Sequence, residues 1–228
     1  MLDDLKQQVC RANQDLVAHG LVTLTWGNVS GIDREKNLAA IKPSGVAYDE
    51  LTPDDIVLVD LDGNVVEGEL KPSSDTATHA LLYREFPGIG GITHTHSPWA
   101  TVFAQARAPI ACYGTTHADH FHGTIPVTRP LTEAELDEGY EHHSGTVIVE
   151  RFRELNLDAE AMPAVLLAGH APFAWGKNAA KSLENAVALE SVAMMAHATV
   201  SLNHKAPELE PHVLDKHYQR KHGPNAYY

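Results

Sequence analysis

With 228 residues and 43% hydrophobic content the chain can bury a full core, and a formal net charge of -13 argues against nucleic acid or an anionic membrane as partner. No apolar run approaches the roughly 20 residues that span a bilayer, and the opening MLDDLKQQ is charged where a secretion signal turns apolar, so a cytoplasmic protein is expected. Cys10 and Cys112 are far apart and form no CxxC pair, which leaves His and carboxylates to hold any metal.

Residues 3–19 predict an amphipathic helix, with Leu5, Val9, Ala12, Leu16 and Val17 recurring about every 3.6 positions and Gly20 as its stop. Short strands are predicted at 21–25, 38–41, 56–59 and 64–66, each punctuated by Gly, Pro or Asp. Ser73-Ser74-Asp75 offers N-cap chemistry for a helix over 73–86, and a strand follows at 88–94. A further strand is expected at 164–168 and a long helix at 177–202, with Pro207 and Pro211 beyond its end. No repeat or linker interrupts the pattern, so residues 1–228 read as one α/β domain; hairpin-length spacings in the first half argue against a regular βαβ series.

Fifteen histidines point to chemistry. In Thr93-His94-Thr95-His96, an extended strand turns residues i and i+2 the same way, so both imidazoles can grip one cation. A bare HxH pair serves equally as two hydrogen-bonding histidines. His170 stands where an apolar strand leaves the core for a polar loop, the position of a site residue, although a lone histidine there is more often structural. Asp75 can complete a shell of three His and one Asp, which zinc or manganese accepts with room left for substrate oxygens. It equally caps the following helix, which position alone favours, and Asp75 with His79 at i+4 is a rival chelating pair.

Three turn-like segments, Thr25-Trp26-Gly27-Asn28, Lys42-Pro43-Ser44-Gly45 and Lys71-Pro72-Ser73-Ser74, supply the amides and hydroxyls that a phosphate needs, though each alone is an ordinary turn sequence. The stretch 114–123, dense in His, Thr and Asp between glycines, is expected to be an active-site loop. His142 and His143 lie in an acidic helical segment and are expected to be exposed and without a role.

Taken together, these segments, the run from Leu21 to Ser30 and the tail Leu214-Asp215-Lys216-His217-Tyr218 through Tyr228 resemble the class II sugar-phosphate aldolase/epimerase family, and within it the L-ribulose-5-phosphate 4-epimerases. The resemblance covers essentially the whole chain. It implies a central, mainly antiparallel sheet flanked by helices and a homotetramer with active sites at subunit boundaries. It also implies one divalent cation per subunit, Zn2+ or another such as Mn2+, on Asp75, His94, His96 and His170, with His79 outside the shell. Gly27, Asn28, Ser44, Gly45, Ser73 and Ser74 become the pocket for a sugar phosphate. Asp119 and Tyr228 become an acid/base pair, the Tyr reaching in from a neighbouring subunit.

The implied activity interconverts L-ribulose 5-phosphate and D-xylulose 5-phosphate, familiar from arabinose catabolism, by breaking and remaking C3–C4. Asp75, where related aldolases carry a Glu acting as base, inclines the resemblance toward epimerisation. Rival readings are an aldolase that releases its fragments, a non-catalytic module like the adducin head, and a metallohydrolase, which would leave Asp119 and Tyr228 without a task.

Overall fold

The N-terminal periodicity becomes helix α1 (Asp3–Ala18), which buries Val9, Ala12 and Leu16 and carries Asp3 and Asp4 in its first turn, where acidic groups oppose the helix dipole. The computed structural model describes residues 2–224 and 226. After α1 the structure departs from the pattern: residues 21–25 form a turn instead of a strand, closed by Trp26 N–H on the Thr23 carbonyl at 3.1 Å, with Leu24 at φ 52°. Leu21 alone of that run is buried; Thr23, Leu24 and Thr25 are exposed and find no neighbouring strand. The strand begins at Gly27 instead, inside a segment that reads as a turn.

From there the elements run β1 (Gly27–Asp33), β2 (Leu38–Ile41), a 3-10 turn (Pro53–Asp55), β3 (Val57–Asp60), β4 (Val65–Glu67), α2 (Thr76–Glu85), β5 (Gly91–Thr95) and α3 (Pro98–Ala106). They continue with α4 (Thr115–Ala118), α5 (Glu133–Glu154), β6 (Ala164–Leu166), β7 (Pro172–Gly176), α6 (Ala179–Leu202) and α7 (Pro211–His222). Among the described residues the seven strands form one sheet in the order β4-β3-β2-β1-β5-β7-β6, antiparallel at every step. This is the helix-flanked antiparallel α/β architecture expected above. No helix among the described residues is long and apolar enough to cross a membrane.

Strand pleating assigns the two faces. A Cβ on Gly31 would meet Leu5 and Val9 of α1 and Ala179 of α6, so that side of β1 is packed by those helices. Ser30, one residue earlier, points the other way and bonds His79 Nδ1 and the Tyr83 hydroxyl of α2, each at 2.7 Å. The same alternation in β5 sends Thr93 toward Ser182 of α6 at 2.8 Å and leaves His94 on the α2 side. Asn28, registered opposite His94, shares that side. The sheet thus presents a chemical face toward α2 and a packing face toward α1 and α6.

Two close approaches fix this geometry. Gly27 holds φ 139°, and a Cβ there would sit 2.9 Å from the His94 carbonyl oxygen, so only glycine lets β1 meet β5 at that point. On the chemical face α2 packs against α5, and Gly145 permits it, since its Cβ would lie 3.3 Å from the Leu81 side chain. Strand β7, not anticipated from the sequence, opens on Pro172 and closes on Gly176, two residues that argue against a strand when read alone. Its Phe173 and Trp175 are buried, and Trp175 Nε1–H donates to the Ala159 carbonyl at 2.7 Å.

Candidate metal centre

His94 leaves the sheet near the end of β5 fully buried, its ring stacked on Phe173 of β7 with centroids 4.2 Å apart. Its Nδ1–H donates to the Pro172 carbonyl at 2.9 Å, which consigns the proton to Nδ1 and leaves the Nε2 lone pair free to bind. That Nε2 lies 3.3 Å from Nε2 of His170. His170 arrives from the turn joining β6 to β7, where Gly169 at φ 75° makes the bend. His96 lies just past the end of β5 and is exposed, so the extended i, i+2 pair of the sequence reading holds in direction with its second member already off the strand. Ligand atoms of His94, His96 and His170 all fall within 4.8 Å of one another, a set that can hold a metal ion.

Electrostatics favours the neutral, metal-binding form of His96 and His170. Burial, then the neighbouring His94 and His96 rings, push His170 down to about 4 against a partial opposing pull from Asp75. His96 is lowered by burial and by His94. Imidazoles already stripped of their second proton have no proton to lose when a cation arrives.

Asp75 occupies the N-cap position of α2 but makes no capping bond from its side chain, so the capping role that position favours is not realised. Its Oδ2 instead accepts from Asn28 Nδ2 at 2.7 Å, and Asn28 Nδ2 also reaches Ser73 Oγ at 3.1 Å. Burial tends to raise the Asp75 carboxyl, but the charges of His94 and His79, the Asn28 bond and His170 outweigh it and hold the group below its ordinary value. His79, the rival chelator, spends Nδ1 on Ser30, and burial lowers its pKa to about 3.

A cavity of about 350 Å³ opens over these groups, lined by Asp75, His94, His96 and His170 on one side. The three turn segments close the rest, contributing Gly27, Asn28, Ser44, Gly45, Ser73 and Ser74. The two Lys-Pro-Ser turns zip together, Ser44 N–H to the Lys71 carbonyl at 2.9 Å and Ser73 N–H to the Lys42 carbonyl at 3.1 Å. The Tyr48 hydroxyl ties the third segment in by donating to the Gly27 carbonyl at 2.8 Å.

Two lining residues, Tyr140 and Glu141, escaped the sequence reading, and Lys42 reads there only as part of a turn. Lys42 is buried, its ammonium donating to the Pro43 carbonyl at 3.2 Å and lying 4.9 Å from the centre of the Tyr48 ring. Tyr140 and Glu141 arrive from α5 because Gly139, at φ 153° and ψ 99°, kinks that helix toward the site. A glycine inside a helical pattern was the available signal.

Asp119 is absent from the residues lining this cavity among those described; it follows α4 and is gripped by His217 and Arg220 of α7. The stretch 114–123 contains α4 and packs against α7. Tyr228 lies outside the described residues. His142 is exposed as expected, whereas His143 is partly buried and bonds Glu138 at 3.2 Å.

A family description, Class II Aldolase and Adducin N-terminal domain, matches residues 7–197. Among solved structures the chain is similar to an L-fuculose 1-phosphate aldolase at 28% identity, with 95% of each chain covered and a TM-score of 0.80. It is similar to the L-fuculose-1-phosphate aldolase of Thermus thermophilus at 25% identity, with 90% of this chain and 98% of that one covered and a TM-score of 0.68. YgbL from Klebsiella pneumoniae shares the fold at 22% identity, with 95% of this chain and 99% of that one covered and a TM-score of 0.75.

Proposed function

The chain belongs to the class II aldolase and adducin N-terminal domain family, and from that premise we propose that it is a metal-dependent L-ribulose-5-phosphate 4-epimerase, interconverting that sugar phosphate with D-xylulose 5-phosphate. The observation that carries the metal dependence is the convergence of His94, His96 and His170, with His94 Nε2 freed by the Pro172 bond to Nδ1. Asp75 is the fourth ligand in this reading. The donor set fits a divalent ion such as Zn2+ or Mn2+, being nitrogen and carboxylate oxygen without thiolate.

The carbon to be inverted, C4, is not adjacent to the C2 carbonyl, so removing its hydrogen would leave an unstabilised carbanion. Cleaving C3–C4 avoids this. A divalent cation at the histidine cluster would supply Lewis acidity, taking up the negative charge that develops on the C2 and C3 oxygens as the bond parts. The remaining work falls to the chain. Ser44, Gly45, Ser73 and Ser74, beside the N-terminus of α2, hold the phosphate so that glycolaldehyde phosphate turns its other face without escaping. The Asn28 amide holds the Asp75 carboxylate in the wall of the cavity it shares with the cluster. Inversion puts the C4 oxygen on opposite sides before and after rotation, which calls for two proton-transfer groups, and Asp119 and Tyr228 fill those roles.

Because Asp119 lies off the cavity of its own chain, both groups act across a subunit boundary in a homotetramer in this reading. The second reading is an aldolase that releases its fragments, the activity named for two of the similar structures, the fuculose-phosphate aldolases at 28% and 25% identity. Asp75 supports epimerisation, because the shorter carboxylate is already engaged by the Asn28 amide at 2.7 Å and has less reach as a mobile base.

The deciding experiment incubates purified protein with L-ribulose 5-phosphate and follows the products by NMR, with and without chelator. D-Xylulose 5-phosphate without free fragments, abolished by chelation, is the expected result. Accumulating dihydroxyacetone and glycolaldehyde phosphate would replace the epimerase reading with the aldolase one.

A further inference from the structure

Helix α7 buries none of its side chains, so the hydrophobic core does not hold it in place. It is held by polar contacts, and three of its residues converge on Asp119. Arg220 forks onto the carboxylate, Nε to Oδ1 at 3.1 Å and Nη2 to Oδ2 at 2.7 Å. His217 Nδ1 reaches Oδ1 at 3.1 Å, and His222 Nε2 reaches the Asp119 carbonyl at 3.0 Å. Around this hub the His122 ring packs on Tyr218, Tyr218 stacks on His222, and Leu209 N–H, just ahead of α7, donates to the Cys112 carbonyl at 2.7 Å.

We propose that Arg220 is a positioning residue, whose guanidinium fork keeps the Asp119 carboxylate anionic and oriented while tethering α7 to the segment 112–122. A planar guanidinium matches both carboxylate oxygens at once, which a lysine ammonium cannot do. The meaning of this for the reaction rests on the epimerase reading; the tether itself does not. Burial would push the Asp119 carboxyl up, but the bonds from Arg220 and His217 and the charges of Arg220 and Lys221 outweigh it and hold the group below its ordinary range.

The charged and titratable groups around Asp119 are His217, Arg220, Lys221 and His222 from α7, and His120 from its own segment, itself near Lys181 and Glu184 of α6. Cations dominate that list. Asp119 therefore enters the reaction as the acceptor of the proton that leaves the C4 hydroxyl when C3–C4 breaks, and the group on the opposite face gives a proton to the C4 oxygen when the bond re-forms.

The test uses the full-length, metal-loaded protein and the variants Arg220→Gln and Arg220→Lys. The Asp119 carboxyl is titrated by carbon NMR, its signal assigned by its loss in Asp119→Asn, and amide exchange of 211–222 is read by mass spectrometry. In Arg220→Gln the Asp119 midpoint should rise by about one unit or more, and exchange of 211–222 should quicken roughly tenfold. The acidic limb of the kcat/KM profile for L-ribulose 5-phosphate should move up with the midpoint. Arg220→Lys should recover the protection only in part. An unchanged midpoint together with unchanged exchange in Arg220→Gln overturns the proposal. If both move while no protein, wild type included, epimerises the sugar, the tether stands and the reading of the reaction falls.

Discussion

His94 and Asp119 are held in different ways within one chain. His94 sits in a ladder between β1 and β7, buried, stacked on Phe173 and fixed in tautomer by a backbone carbonyl. Asp119 caps a four-residue helix and is steadied by side chains of α7, which buries nothing. Moving His94 means breaking strand pairing and opening the core, whereas releasing Asp119 costs only polar contacts near solvent. Metal ligation tolerates displacements of a few tenths of an ångström, which sheet register supplies. A proton-transfer group, the role proposed for Asp119, gains from a hold that can open as substrate enters and leaves.

The largest effect should come from breaking the rigid side at its chemical end. His94→Ala removes the buried imidazole of the proposed metal site and should lower metal affinity by more than the roughly 100-fold that loss of an outer hydrogen bond can cost, read as bound metal per chain after dialysis, with the proposed epimerase turnover lost in parallel. Phe173→Ala attacks the support under that ring. Emptying a 1% exposed aromatic site should destabilise the fold by about 3–5 kcal/mol in urea unfolding and should also weaken metal binding. Should the variant keep full metal affinity, the stacked support has no bearing on the ligand, and the rigid side of the contrast fails.

The rigid region was also the more legible one. Alternation in a strand was enough to bring His94 and His96 together, and the apolar run before His170 marked where it leaves the core. The misleading signals were local. Leu21 to Thr25 looks like a strand by composition but has no neighbour to pair with, while Gly27 looks like a turn residue and is needed because β5 passes 2.9 Å from where its side chain would begin. Lys42 is written as part of a turn, and only tertiary folding buries it against Tyr48. The convergence of two Lys-Pro-Ser turns depends on hydrogen bonds between residues far apart in the chain. Helix α7 was hidden by Pro211, read as a breaker, although it stands at the first helical position where its missing N–H costs nothing.

Acid should sharpen the comparison from the other side. His117, in α4 beside Asp119, is buried with Nε2–H on the Gly123 carbonyl at 2.8 Å. Burial, offset in part by that carbonyl and reinforced by His120, lowers its pKa from 6.5 to about 4. A histidine depressed in the folded state stabilises above its unfolded pKa and loses that contribution as pH falls from there to the folded value. Wild-type stability should therefore decline between pH 6.5 and 4, with His117 accounting for at most about 3 kcal/mol of it. His117→Gln, which keeps a donor for Gly123 and cannot titrate, should flatten the slope of unfolding free energy over that interval. An identical slope in the variant would assign the acid sensitivity elsewhere.

The smallest effect is the most direct probe of how loosely α7 is coupled. Asp215 accepts from His122 at 2.8 Å, with the two side chains 62% and 39% exposed, so Asp215→Asn gives up an interaction worth about 0.5 kcal/mol in solvent. Global unfolding should be unchanged within that margin. Amide exchange of 211–222 should nonetheless quicken about twofold, because the same energy is a large share of what closes a helix with no buried side chain. If Asp215→Asn instead lowers the global stability by more than about 1 kcal/mol, α7 unfolds together with the sheet. Its hold on Asp119 would then be as rigid as that of β5 on His94.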